Sequence, residues 1–140
     1  MNYFIVVRND IENPYNQGER ENELWLNTSD SSEDELRKYA EVYKEIRKGD
    51  LLLCYSGKDK GFCALLEAGD KNDEGIILNF KDSLYIPIDI IKDERIYQQI
   101  LALSPDKYSP FTQDKSNIFY GTYFKSTKKQ FWHICALTQN

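Results

Sequence analysis

Three cysteines and a single histidine are the side chains with which this sequence could hold zinc or activate a nucleophilic thiol. Their spacing argues against both. There is no CxxC pair, and one imidazole with three dispersed thiols does not make a zinc site. His133 precedes Cys135 by two positions, and at 3.6 residues per turn two such side chains point about 200° apart on a helix. Cys54, Cys63 and Cys135 each lie in an apolar run, which is how free cysteine behaves as a small buried hydrophobe. Acids are numerous, 23 in all, yet no pair such as Asp59 and Glu67 is singled out by position. No catalytic residue, metal ligand or cofactor is assigned on these grounds.

The aromatic residues carry more information. Ten Tyr, seven Phe and two Trp exceed what a small core needs. Trp25 stands in a polar stretch, Tyr55 closes an apolar run before a glycine-bearing turn, and Phe119, Tyr120, Tyr123 and Phe124 crowd around Gly121. A ring at a strand end or in a loop can stack on an unpaired base, a contact worth roughly 1–3 kcal/mol. Asn27, Thr28 and Ser56 lie beside these rings in sequence and offer polar contacts to a base edge. Trp25, Asn27, Tyr55, Ser56, Tyr120 and Tyr123 are therefore the candidate base-binding residues. Core packing is the competing reading for each ring.

Charge is distributed in a way that fits such a ligand. The net charge is −5, but nine acids fall in residues 10–35 against Arg20 alone, whereas residues 115–140 hold no acid. Lys115, Lys125, Lys128 and Lys129 in that second segment are candidate phosphate contacts, because a locally basic face attracts a phosphate backbone even on an acidic protein. The alternative is that they only solvate one end of the fold.

The elements that must position these residues are legible in outline. Tyr3-Phe4-Ile5-Val6-Val7 opens as a strand, and residues 9–31 follow as a long polar excursion anchored by Leu24-Trp25-Leu26. Ser32 with Glu35 forms a capping box for a helix running to about Lys48, with Leu36, Tyr39, Ala40, Tyr43 and Ile46 along one stripe. Gly49 is placed to stop it. Strands are expected at Leu51–Tyr55, Phe62–Leu66, Ile76–Phe80 and Leu84–Ile88, with a polar turn from Gly69 to Gly75. Their apolar residues do not alternate strictly, so both faces should be covered, and Pro87 should lie at an edge or end its strand. A second helix spans Asp93 to Leu103, with Ile96, Ile100 and Leu103 inward. A polar connector covers Tyr108 to Asn117, and a strand pair or bent strand flanks Gly121. Thr127 and Gln130 then cap a closing helix that buries Phe131, Ile134 and Leu137.

These elements make one domain over residues 1–140, of a length that supports one core. The class is α+β: a curved mixed sheet closing toward a small barrel, flanked by two or three helices. The βαβ alternation of a nucleotide fold is absent, as are GxGxxG and GxxxxGK[ST]. No stretch has the length of a membrane span and the first residues lack a signal-peptide pattern, so a cytoplasmic location is the default expectation.

The order of these segments resembles the PUA-like superfamily, and within it the EVE domains most, the YTH domains more distantly. The resemblance rests on the opening Tyr3–Val7 strand, the Trp-bearing polar segment, and the helix ending in Arg47-Lys48-Gly49-Asp50. It continues through the Leu51–Tyr55 strand, Gly61-Phe62-Cys63-Ala64-Leu65-Leu66-Glu67-Ala68, and the aromatic segment before the last helix. It implies a curved barrel flanked by helices and recognition of a modified base in DNA or RNA through an aromatic pocket. By position, Trp25 and Asn27 match the pocket-lining segment before the helix, and Tyr55 and Ser56 match the strand end after the Lys-Gly-Asp turn. EVE domains carry an Arg- and Asn-containing segment before the first helix, whereas residues 27–34 here contain no Arg.

Three functions remain open from sequence: a non-catalytic reader of a modified nucleobase, a protein-interaction module with an exposed aromatic surface, and a small nuclease or nucleotide-modifying enzyme. The first requires a nucleic-acid partner, the second a protein partner, and none requires a membrane.

Overall fold

The computed structural model describes residues 1–8, 23–27, 42, 44–58, 60–72, 75–103 and 123–137. Six strands form one mixed sheet: β1 (Tyr3–Arg8), β2 (Glu23–Asn27), β3 (Leu51–Ser56), β4 (Gly61–Asn72), β5 (Gly75–Pro87) and β6 (Tyr123–Ser126), in the order β2-β5-β4-β3-β1-β6. Only β1 and β3 pair in parallel; every other pairing in the order is antiparallel. Three helices lie wholly within the described residues: α1 (Ile88–Ile91), α2 (Glu94–Leu103) and α3 (Lys128–Ala136). The fold is α+β. The sheet stays open among the described residues, with β2 and β6 at its two ends.

Both faces of the central strands are covered, as their unbroken apolar runs require. Phe4, Ile5, Val6 and Val7 are all buried in β1, and every residue of β3 is buried. Phe62, Leu66, Ile76, Leu78 and Ile86 continue this core through β4 and β5, and Phe131 and Ile134 of α3 close it.

Several expected boundaries change. The expected strands Ile76–Phe80 and Leu84–Ile88 are one strand, β5, which runs through the exposed Lys81-Asp82-Ser83. Backbone pairing to β4 bridges that polar step, with three register shifts taking up the irregularity. The turn expected from Gly69 to Gly75 is shorter, because β4 extends to Asn72. Leu24-Trp25-Leu26 belongs to a strand rather than to a loop anchor: β2 pairs with β5, Leu24 opposite Leu78 and Leu26 opposite Ile76. Its partner lies about fifty residues away in the chain, so local pattern does not reveal it. α1 was not expected; Pro87 ends β5 and stands at its N-cap position, where a missing N–H costs nothing.

The helix expected over residues 32–48 lies mostly outside the described residues. Val42, Lys44 and Glu45 are helical, and the chain leaves the helix at the buried Ile46. Gly49 takes a positive φ of 95°, the conformation that glycine adopts without strain. Asp50 then makes the turn rigid. Its carboxylate accepts from the backbone N–H of Arg47 at 2.8 Å and from that of Asn2 at 3.0 Å, so one buried side chain joins the helix exit to the start of β1. The Gly49 N–H donates to the Ala68 carbonyl at 2.8 Å, and the Ala68 N–H to the Asp50 carbonyl at 2.8 Å.

α2 begins one residue after Asp93, whose carboxylate accepts from the N–H groups of Arg95 and Ile96. Its buried residues are Tyr97 and Ile100, with Ile96 half-buried. Thr127 caps α3 as expected, accepting from the Gln130 N–H at 3.1 Å. The Gln130 side chain accepts from Ser126 Oγ at 3.1 Å and donates to the Ile100 carbonyl at 3.2 Å. The Thr127 hydroxyl donates to the Leu103 carbonyl at 2.9 Å. The capping residues thus fasten α3 to the end of α2. Leu137, expected on the buried face, is half-buried.

Candidate nucleic-acid interface

β1 and β3 run parallel and end together, Arg8 opposite Ser56. Around this end lie Tyr55, the turn residues Gly57, Lys58 and Lys60, and Tyr85 and Asp89 from the end of β5 and the start of α1. Gly61 allows β4 to approach closely there: a Cβ on it would sit 2.7 Å from the Ile86 carbonyl oxygen and 2.9 Å from the Tyr85 ring. Tyr85 is 48% exposed. Ser56 is fully buried.

Tyr55 is part of the core. Only 8% of it is exposed, and its ring meets Phe62 edge-on at 5.4 Å between centroids. Burial, then the neighbouring Tyr85 and Asp89, raises its phenol above the usual tyrosine range. A register shift between Cys54 and Tyr55 accompanies this placement, and such bulges re-aim side chains at strand ends. The expectation that Tyr55 tips out of the core while the leucines before it stay buried is corrected.

Trp25 stands opposite Ile77 in the β2–β5 ladder, and Asn27 opposite Gly75 at the strand end. Tyr55 stands opposite Phe62 in β4, next to the other end of the β4–β5 ladder, where Phe62 pairs with Ile86. β5 and β4 separate the strands of Trp25 and Tyr55, so the two do not form a neighbouring pair within the sheet. Tyr123 begins β6 opposite Val6. Tyr120 and Lys115 lie outside the described residues, as do Thr28, Phe119 and Gly121.

The remaining lysines fall into two groups. Lys125 is opposite Phe4 in the β1–β6 ladder and pairs with Glu45 at 3.2 Å, both side chains being about half exposed. Lys128 and Lys129 are exposed in the first turn of α3, which holds no acid. Strand alternation puts Lys125 on the opposite side of β6 from Phe124 and Ser126.

Sequence reasoning passed over Trp132. It is exposed at 41%, in edge contact with Tyr3 (6.2 Å) and Phe131 (5.3 Å). The helical period around the inward Phe131 and Ile134 could have shown it facing outward.

The side chains capable of nucleophilic chemistry are held in unreactive surroundings. Cys54 and Cys63 are buried, and burial pushes the half-buried Cys135 thiol up to about 12, leaving it protonated at neutral pH. The His133 Nε2 is buried with no hydrogen-bond partner among the described residues. No group of three His, Cys, Asp or Glu residues among the described residues could hold a metal ion.

No family model matches the sequence, and no curated protein matches it. Solved structures do. The crystal structure of human THYN1 protein in complex with 5-methylcytosine-containing DNA covers 100% of this chain and 99% of its own, with a TM-score of 0.69 at 10% identity. The crystal structure of the MmI1 YTH domain covers 98% of this chain and 94% of its own, with a TM-score of 0.50 at 10% identity. Likeness at that identity is likeness of fold, and it extends from end to end. The chain shares the fold of human THYN1 and, less closely, that of the YTH domain, one of the families that the order of its segments resembles.

Proposed function

We propose that this protein is a non-catalytic nucleic-acid-binding module that recognises a modified base. The observation that carries the reading is the whole-chain likeness to human THYN1 in a structure with 5-methylcytosine-containing DNA. The second structural likeness, to a YTH domain, agrees with it. Fold alone does not determine function, so the side chains must be consistent with the ligand. Trp25 and Asn27 stand on β2, an end strand of the sheet, and Cys54 and Cys63 are buried.

In this reading the base enters an aromatic pocket that includes Trp25, with Asn27 contacting the base edge. Aromatic walls reward the fit of a small apolar mark such as a methyl group while excluding water. Tyr55 supports the pocket from within the core instead of forming its wall. In this reading the sheet curls toward a small barrel, and the register shifts between β4 and β5 are where it bends.

The test is equilibrium titration of matched duplexes and single strands with and without 5-methylcytosine, alongside a panel of other methylated bases. Tighter binding of at least one modified oligonucleotide than of its unmodified twin is expected. Equal affinity across every pair would overturn recognition of a mark, and no binding at low salt would overturn the nucleic-acid partner itself.

A further inference from the structure

We propose that the outer face of α3 is a second contact for nucleic acid, at which Trp132 stacks on an unpaired base while Lys128 and Lys129 hold the adjoining phosphates. This inference rests on the nucleic-acid reading above but not on recognition of a modified base. It predicts binding of single strands without regard to sequence or modification.

The placement follows from the helix. Positions 128 and 129 precede Trp132 by four and three residues, so each lysine neighbours Trp132 on the helix surface. All three are exposed. Gln130, Phe131 and Ile134 are the buried residues of α3, and Trp132 stands on its exposed side. Its ring is nevertheless steadied by the edge contacts to Tyr3 and Phe131. A held, half-exposed indole loses little freedom when a base stacks on it, and such stacking tolerates any base because each has a π face.

The charges complete the match. Neither Lys128 nor Lys129 has an ion-pair partner among the described residues, whereas Lys125 is engaged by Glu45. Both lysines sit in the first turn of α3, where the helix dipole disfavours cations. They are therefore not there to stabilise the helix. Residues 115–140 contain no acid, on a protein of net charge −5. An indole beside two exposed ammonium groups is complementary to a base with its phosphates.

The experiment is fluorescence anisotropy of labelled, unmodified oligo-dT and oligo-rU of about twelve nucleotides, within the range of sites that such surfaces occupy. The full chain is titrated at low and moderate salt. Saturable binding that weakens with salt is expected, and the two oligonucleotides distinguish DNA from RNA as the strand bound. Trp132→Ala should weaken binding about five- to 150-fold. Trp132→Leu, which keeps an apolar side chain but no π face, should weaken it too, while Trp132→Phe restores part of the loss. The double replacement Lys128→Glu and Lys129→Glu should reduce both affinity and salt dependence. Circular dichroism of each variant establishes that it is folded. Wild-type affinity in folded W132A and W132L, or absence of oligonucleotide binding at low salt, overturns the proposal. Competition by a poly-glutamate peptide as effective as that by oligo-dT overturns it in favour of an acidic protein partner. If these oligonucleotides bind through Trp132 but modified and unmodified duplexes bind equally, recognition of a mark fails while the α3 contact stands.

Discussion

Gln130 donates its buried side-chain amide to the carbonyl of Ile100, 3.2 Å away, and so ties the start of α3 to the body of α2 across thirty positions of chain. The same side chain accepts from Ser126 Oγ. Removing a buried hydrogen-bonding group leaves its partners unsatisfied, at a cost of about 1–3 kcal/mol. Gln130→Ala should lower unfolding stability by that amount or somewhat more, since it also opens space beside Phe131. Denaturant unfolding monitored by circular dichroism checks this.

Asp50 predicts a comparable loss at the same end of the sheet, where Tyr3 stands between Leu51 and Ser126. Its two carboxylate oxygens satisfy the backbone N–H groups of Asn2 and Arg47, and it is almost wholly buried. Asp50→Ala should cost about 1–3 kcal/mol. Hydrogen exchange should rise at the Asn2 and Arg47 amides specifically, which distinguishes loss of these bonds from general loosening.

Tyr55 and Trp25 should separate stability from binding. Truncating the buried ring in Tyr55→Ala should destabilise by about 3–5 kcal/mol, as large-to-small core replacements do. Trp25→Ala on β2 should weaken modified-base binding about five- to 150-fold, the equivalent of one stacking contact. Thermal unfolding and oligonucleotide titration of both variants check the pair. Unchanged affinity in a folded W25A would remove Trp25 from the pocket.

Stability should decline at alkaline pH. Burial lifts the Cys135 thiol from 9.0 to about 12. Below 9.0 both states keep the proton and its contribution is fully present. Between 9.0 and 12 the unfolded chain releases the proton and the folded chain retains it, so unfolding gains as pH rises. Tyr55, also raised, adds in the same direction above 10.0, whereas the lowered Lys71 acts in the opposite one. Denaturation midpoints at about pH 8 and about pH 10.5 should fall less in Cys135→Ala than in wild type. An equal fall would remove Cys135 as a source.

Local pattern determined a good deal of this protein. Thr127 and Gln130 announced α3 because capping is a matter of residues three apart, and the N–H of one does meet the hydroxyl of the other. Gly49 announced its turn because only glycine accepts a positive φ at no cost. The unbroken apolar runs of β1 and β3 announced strands covered on both faces, which they are. The order of such segments was enough to point to the fold shared with human THYN1 and the YTH domain.

What tertiary structure alone decided is pairing between distant segments. Leu24-Trp25-Leu26 has the composition of either a loop anchor or an edge strand, and its ladder with Ile76-Ile77-Leu78 settles it as β2. Lys81-Asp82-Ser83 reads locally as a break, but backbone bonding to β4 carries β5 through it. Tyr55 sits at a strand end beside a turn, a place equally suited to a pocket wall, until Phe62 across the ladder claims its ring for the core. Lys125 belongs by sequence to a run of cations, and only the fold sets Glu45 of another segment beside it. Periodicity and capping act over a few residues, whereas strand register and the final neighbour of a ring or an ammonium group depend on contacts that exist only once the chain has folded.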